Sequence, residues 1–345
     1  MLGCTVILLL HLAITASTVD LAADRELVLA FVVNRHGERT PDADELSLSD
    51  QQEKLRNLTY IEGLEGLTNT GKRRAFQIGK FIRQRYGSQG YNLLSKIYLQ
   101  DEIAIRSTDK ERTKMTAQLT MAAVYPPEVD QQWGEGLGKL WQPVPYTAVP
   151  LTEDYLRYYS NCKRFRELMV KAKEEAVQQE FQQFKDLVVL VKKETGKNFT
   201  EDPLQFQTLF DLFRSQVALG LDIPEWAKPL LPKLGEAARL SYRLYFRYDE
   251  MKKIGGVTKV IRHEQSIPEY GSLFALELYK SKSTGELTVV PIYLPRAGDS
   301  TPQLLHFTGC EANSHCNLNK FKHNTKEYLL PEKDFYSICS IRTEL

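Results

Sequence analysis

Cysteine is sparse in this chain, five in 345 residues, and no two form a Cys-x-x-Cys pair, which removes the commonest metal and redox spacing. The six histidines form no His-Glu-x-x-His string, so the chain is read as holding no metal, and no cofactor signature accompanies them. Gly-x-Ser-x-Gly is also missing. Gly134-x-Gly136-x-Gly138 lacks the spacing and the strand–helix setting of a dinucleotide fingerprint and reads as a loop. Excess charge is absent as well: 45 Lys and Arg face 44 Asp and Glu, a net charge of +1, with no basic stripe. That balance argues against nucleic acid or an acidic membrane surface as partner. No internal repeat and no low-complexity tract interrupts the sequence, and its 42% hydrophobic content suits a soluble globular fold with ample core.

The one sizeable apolar run lies at the start. Val6 to Leu10 and Leu12 to Ile14 lead to the small residues Thr15, Ala16 and Ser17, which reads as a removable signal peptide over about residues 1–16. No further run of spanning length and no lipidation signal follows, so the mature chain is expected to be secreted, without a membrane anchor. The triplets Asn57-Leu58-Thr59 and Asn198-Phe199-Thr200 are candidate glycosylation sites on that route. Removing Cys4 leaves Cys162, Cys310, Cys316 and Cys339, an even number that reads as two disulfides with three connectivities open. The short Cys310–Cys316 loop is the natural local pair, leaving Cys162–Cys339 as a long staple.

What is present is a strand–helix alternation. Glu26 to Asn34 is almost continuously apolar and β-branched, the pattern of a strand buried on both faces of a parallel sheet. Thr70 to Tyr86 predicts an amphipathic helix stopped by Gly87, Glu102 to Ile105 a short strand, and Lys110 to Tyr125 a second helix. This order predicts a doubly wound α/β core over residues 17–150 and 251–345. Residues 151–250 are rich in charged, helix-favouring sequence (Val170 to Thr195, Leu204 to Val217, Pro229 to Tyr248) and are expected to form a helical cap inserted into that core. Leu273 to Tyr279 and Leu287 to Leu294, separated by a turn containing Gly285, read as a hairpin.

The informative motif is Arg35-His36-Gly37-Glu38-Arg39-Thr40-Pro41, immediately after the first strand, where ligands of open α/β sheets bind. Two arginines four residues apart can fork around phosphate oxygens, and a histidine between them can attack phosphorus. The string resembles the signature Arg-His-Gly-x-Arg-x-Pro of the histidine acid phosphatases, prostatic and lysosomal type. The resemblance continues through Ile105-Arg106-Ser107-Thr108-Asp109, Trp141-Gln142-Pro143-Val144-Pro145, Asn161-Cys162 and the last three cysteines. It implies the histidine-phosphatase core with its cap, His36 as nucleophile, Arg35, Arg39 and Arg106 as phosphate-binding residues, and the disulfides Cys162–Cys339 and Cys310–Cys316.

One departure dominates. Active members carry a His-Asp dipeptide whose histidine binds phosphate and whose aspartate protonates the leaving group. Here the six histidines are followed by Leu12, Gly37, Glu264, Phe307, Cys316 and Asn324. Gly255-Gly256 leads almost directly to Ile267-Pro268-Glu269-Tyr270, so about 30 residues, one strand–helix unit, are missing. His263-Glu264 is a weak substitute, because the stretch around it is too short to replace that unit.

The remaining pocket would be a cationic cleft beneath a cap rich in aromatics. Cations favour carboxylates, and aromatic faces hold flat rings and ammonium groups. Tyr155, Tyr158, Tyr159, Phe210 and Phe213, with Glu153, Asp154 and Asp211 as acidic partners, are the candidates for an amine site. The combination is similar to the acid-phosphatase-like salivary proteins of blood-feeding fleas. That resemblance implies an inactive enzyme fold that scavenges biogenic amines such as serotonin and lipid mediators such as leukotrienes. The competing expectation is a working secreted phosphomonoesterase that passes through a phosphohistidine at His36.

Overall fold

The computed structural model describes residues 24–255, 267–307, 309–310 and 314–339. The fold is mixed α/β. Its strands are β1 (Arg25–Asn34), β2 (Arg106–Thr108), β3 (Thr147–Val149), β4 (Leu273–Ser281), β5 (Leu287–Leu294), β6 (Gln303–Leu304) and β7 (Cys316–Asn317). The longer helices are α1 (Asn69–Tyr86), α2 (Glu111–Val124), α3 (Lys163–Gln178), α4 (Lys185–Thr195), α5 (Gln205–Ala218), α6 (Leu231–Arg243), α7 (Leu318–Thr325) and α8 (Glu332–Cys339).

The main sheet has the order β1-β4-β5-β6, with β7 also on β5, while β2 and β3 form a separate parallel pair. The predicted hairpin is β4–β5, in register from Leu273 opposite Leu294 to Lys280 opposite Leu287. α1 and α2 cover one face of the sheet: Ile78, Phe81, Ile82, Met121 and Val124 pack on Leu27, Leu273, Ala275, Val290 and Ile292. The two helices touch at Gly79, where a Cβ would come within 2.1 Å of the Thr120 carbonyl oxygen. Only a glycine permits that approach. α7 covers part of the opposite face, with Leu318 and Phe321 against Phe307 and Val289.

Two strand expectations need correction. β1 is not an interior parallel strand: it pairs antiparallel with β4, and among the described residues nothing pairs with its other edge. Leu29, Phe31 and Val33 on its outer face are 57%, 59% and 50% exposed. The sequence of β1 therefore has the composition of an interior strand in an edge position. Apolar composition records what a strand can bury and not whether a partner is there to cover it. The expected strand at Glu102–Ile105 is displaced; Gln100–Glu102 is a 3₁₀ turn and β2 begins only at Arg106. The Glu102 carboxylate accepts the backbone N–H of Ser95 at 2.9 Å, and this contact holds the chain in a turn.

The helical segment packs around its own core of Phe165, Phe184, Phe206, Leu209, Leu212 and Leu234. The predicted Val170–Thr195 helix breaks after Gln178 into a 3₁₀ turn that buries Phe181 and Phe184, and α4 follows. This core also takes in Leu46, Leu48 and Leu55 from the chain after the Arg-His-Gly motif, and Phe335 of α8. Both expected disulfides form, Cys162–Cys339 joining the start of α3 to α8 and Cys310–Cys316 closing a local loop. No helix among the described residues is long and apolar enough to cross a membrane.

Candidate active site

The Arg-His-Gly segment leaves the C-terminal end of β1 and is clamped between α1 and the segment 268–272. Arg35 N–H bonds the Ser272 carbonyl at 2.9 Å, and the His36 carbonyl accepts from Gly271 N–H at 3.1 Å. Gly37 is required by packing: a Cβ there would lie 2.2 Å from the carbonyl oxygen of Gly71 in the first turn of α1. Thr68 caps that turn by accepting from Gly71 N–H, and its own hydroxyl donates to the Glu38 carbonyl at 3.0 Å. The helix cap and the motif are thus one hydrogen-bonded unit.

His36 Nδ1 lies 2.7 Å from the Gly37 carbonyl oxygen, so Nδ1 carries the proton and donates it there. Nε2 retains its lone pair and accepts from Arg112 Nε at 3.2 Å. Burial, and then the positive fields of Arg112 and Arg35, hold the His36 pKa well below the usual 6.5. A neutral imidazole with a fixed tautomer is the form that a nucleophile needs.

Each arginine at the site is already matched by a protein acceptor. Arg35 donates to the Pro268 carbonyl at 2.5 Å, stacks at 4.3 Å on the Tyr270 ring and stands 3.9 Å from Asp211. Buried Arg39 makes a two-pronged pair with buried Glu45. Glu45 in turn closes a capping box with Asp42. Arg112 and Lys110 share Glu65, at 3.1 and 2.8 Å. Arg214 of α5 donates to Glu269 at 2.8 Å and covers Tyr270 at 4.6 Å. The carboxylates offset the like-charge repulsion that so many guanidinium groups would otherwise impose on one another.

Arg106 is not part of this cluster. It donates to Asp154 at 2.7 Å and stacks at 4.6 Å on Tyr155. The guanidinium that reaches the histidine is that of Arg112, from the first turn of α2. Sequence reasoning missed it because it read the segment only as far as Asp109. The Thr108–Lys110 turn brings it in, with Lys110 N–H on the Thr108 carbonyl at 2.9 Å. Tyr270 and Arg214 were missed too; only the segment 268–272 packing against the motif reveals them.

The expected amine pocket does not assemble as one site. Tyr158 meets Phe165 edge-on, 4.9 Å between centroids, and Phe213 packs on Trp226, so both belong to the core of the helical segment. Phe210 lies against Gly235 of α6. Asp154 is fully buried and already holds Arg106 and the Leu156 N–H. Asp211 accepts the Tyr242 hydroxyl at 2.9 Å and faces Arg35 and Arg214, so two guanidinium groups compete with any amine for it. Glu153, Tyr155 and Tyr159 are exposed. Tyr159 lines a cleft of about 250 Å³ with Phe165, Met169 and Tyr245. Asn57 and Asn198 are exposed, whereas His263 and Glu264 lie outside the described residues.

The histidine phosphatase superfamily (branch 2) profile matches residues 26–218, more than half of the chain and all of the motif-bearing segment. The chain belongs to that superfamily. The chain is 29% identical to human prostatic acid phosphatase over 282 residues, covering 78% of this chain and 70% of the human one. It is 32% identical over 248 residues to venom acid phosphatase Acph-1 of Apis mellifera, covering 71% and 61%. Among solved structures, the phytase of Citrobacter braakii superposes with a TM-score of 0.66 at 13% identity, over 89% of this chain and 98% of that one. That likeness concerns the fold alone.

Proposed function

We propose that this histidine phosphatase homologue is a secreted protein whose hydrolytic chemistry is severely impaired and whose pocket binds small mediators, biogenic amines such as serotonin and anionic lipid mediators such as leukotrienes. The observation that carries the reading is the makeup of the His36 site. Among the described residues the hydrogen-bond partners of His36 are Gly37 and Arg112, and no second histidine is among them. The carboxylates nearby (Glu45, Glu65, Asp211 and Glu269) are all engaged by cations. Burial raises the Glu45 pKa despite its pair with Arg39, whereas burial of Glu65 is outweighed by its pairs with Lys110 and Arg112, which hold it below the usual carboxylate range. Any of these carboxylates would have to leave its cation to reach a leaving group, and leaving-group protonation supplies about 10²–10⁴-fold in rate. An anionic head would replace Pro268 and Glu65 as acceptor of Arg35 and Arg112. An amine would use the aromatic cleft lined by Tyr159, Phe165 and Tyr245.

Titration calorimetry of the secreted protein with serotonin and a leukotriene, beside turnover of an alkyl phosphate, tests this. Binding of at least one ligand class is expected, with turnover at least about 10²-fold below that of human prostatic acid phosphatase. Turnover equal to the human enzyme would overturn the reading. The competing function, an active acid phosphatase, is favoured by neutral His36 with Nδ1 anchored. Recovery of a phosphohistidine at His36 during steady turnover of alkyl phosphate would establish it.

A further inference from the structure

Tyr270 is the aromatic residue nearest the motif histidine, their ring centroids 5.6 Å apart. It is 4% exposed, and its hydroxyl is buried with no hydrogen-bond partner among the described residues. Arg35 lies over the ring at 4.3 Å and Arg214 at 4.6 Å. Burial raises the pKa of the phenol, and the cations that act on it are Arg39, Arg35 and Arg214, two of which also act on His36. The phenol is therefore protonated at every physiological pH and sits within the same guanidinium cluster as the imidazole.

We propose that the Tyr270 hydroxyl is a dedicated donor to an oxyanion, a phosphate or carboxylate group, bound between His36 and Arg35, with Arg214 of α5 as the residue that positions the Tyr270 ring. This rests on the reading of the His36 cluster as a binding pocket. A phenylalanine would fill the same space without stranding a buried hydroxyl, so the tyrosine costs stability unless the hydroxyl is used by a ligand. The ring is held in place, because the guanidinium groups of Arg35 and Arg214 both pack over it and Gly271 N–H ties the next residue to the His36 carbonyl. Arg214 also donates to the Pro268 carbonyl at 3.3 Å, the acceptor it shares with Arg35, so the helical segment holds the donor in place.

The experiment is calorimetric titration of the full mature protein with orthovanadate and with inorganic phosphate, in wild type, Tyr270→Phe and Arg214→Lys, with melting temperatures measured alongside. Tyr270→Phe should weaken both anions by about ten- to a hundredfold, as expected for a lost hydrogen bond to a charged group, while the melting temperature stays or rises. Arg214→Lys, which keeps the charge and loses the planar stack, should weaken them less. Equal affinity in wild type and Tyr270→Phe would overturn the assignment and leave the pocket reading standing. Weaker binding accompanied by a matching fall in melting temperature would make the tyrosine structural and overturn it as well. A wild type that binds neither anion would overturn the pocket reading and this inference together.

Discussion

At the scale of single residues, the site is governed by which atom occupies His36 Nε2. Arg112 holds that lone pair, and its field adds to burial in keeping the imidazole neutral. Replacing Arg112 with Ala should raise the His36 pKa toward 6.5 without reaching it, because burial is the larger cause and remains. Titration of the imidazole resonances by NMR checks this, and an unchanged or lower pKa would contradict the contact. The linkage has a definite sign. A histidine whose folded pKa lies below its unfolded value binds fewer protons in the native state. Its neutral, buried form favours the native state above about pH 6.5, and that contribution is lost as the pH falls from there toward the folded pKa.

At the scale of elements, β1 has two faces with opposite sensitivities. Leu27 is 5% exposed and packs with α1 and α2, whereas Phe31 is 59% exposed. Leu27→Ala should cost about 2–5 kcal/mol, and Phe31→Ser should stay within about 0.5 kcal/mol, both read from urea unfolding midpoints. A large loss at Phe31 would mean that its face is covered. α1 is fastened to the sheet by a polar contact as well: Glu277 of β4, fully buried, accepts from Arg85 at 2.5 and 2.7 Å and from the Tyr86 and Tyr279 hydroxyls at 2.8 and 2.7 Å. Such a carboxylate is tolerated in a core only because its lone pairs are filled. Its place on β4 was hidden in sequence, where Glu277 looks like one polar residue in an apolar run.

At the scale of the whole molecule, the long disulfide ties the helical segment to the end of the chain. Cys162 and Cys339 are 177 residues apart, against six for Cys310 and Cys316. In the chain-entropy picture the longer loop constrains the unfolded state more. The double replacement Cys162→Ser, Cys339→Ser should therefore cost about 2–5 kcal/mol in guanidinium unfolding, and the equivalent change at Cys310 and Cys316 should cost less. The reverse order would show that native-state packing of the short loop, around Phe307 and Val289, outweighs loop length.

By itself the sequence determined what depends on neighbours within a few turns of chain: the Arg35–Pro41 string at the end of β1, the helix predicted over Thr70–Tyr86 and its stop at Gly87, the β4–β5 hairpin and the helices of residues 151–250. Periodicity, caps and turn residues act locally, so these were legible. The even cysteine number and family likeness also led to the correct pairing. Tertiary structure alone decided which guanidinium meets His36, because Arg106 and Arg112 are equally basic in sequence and only the packing of α2 and the competing Asp154 separate them. It alone matched Arg35 with Asp211, 176 positions away, and set Arg35 and Arg214 over the Tyr270 ring. It also left Leu29, Phe31 and Val33 exposed. Burial and charge pairing are properties of which segments come together in space, and no local pattern encodes the absence of a partner.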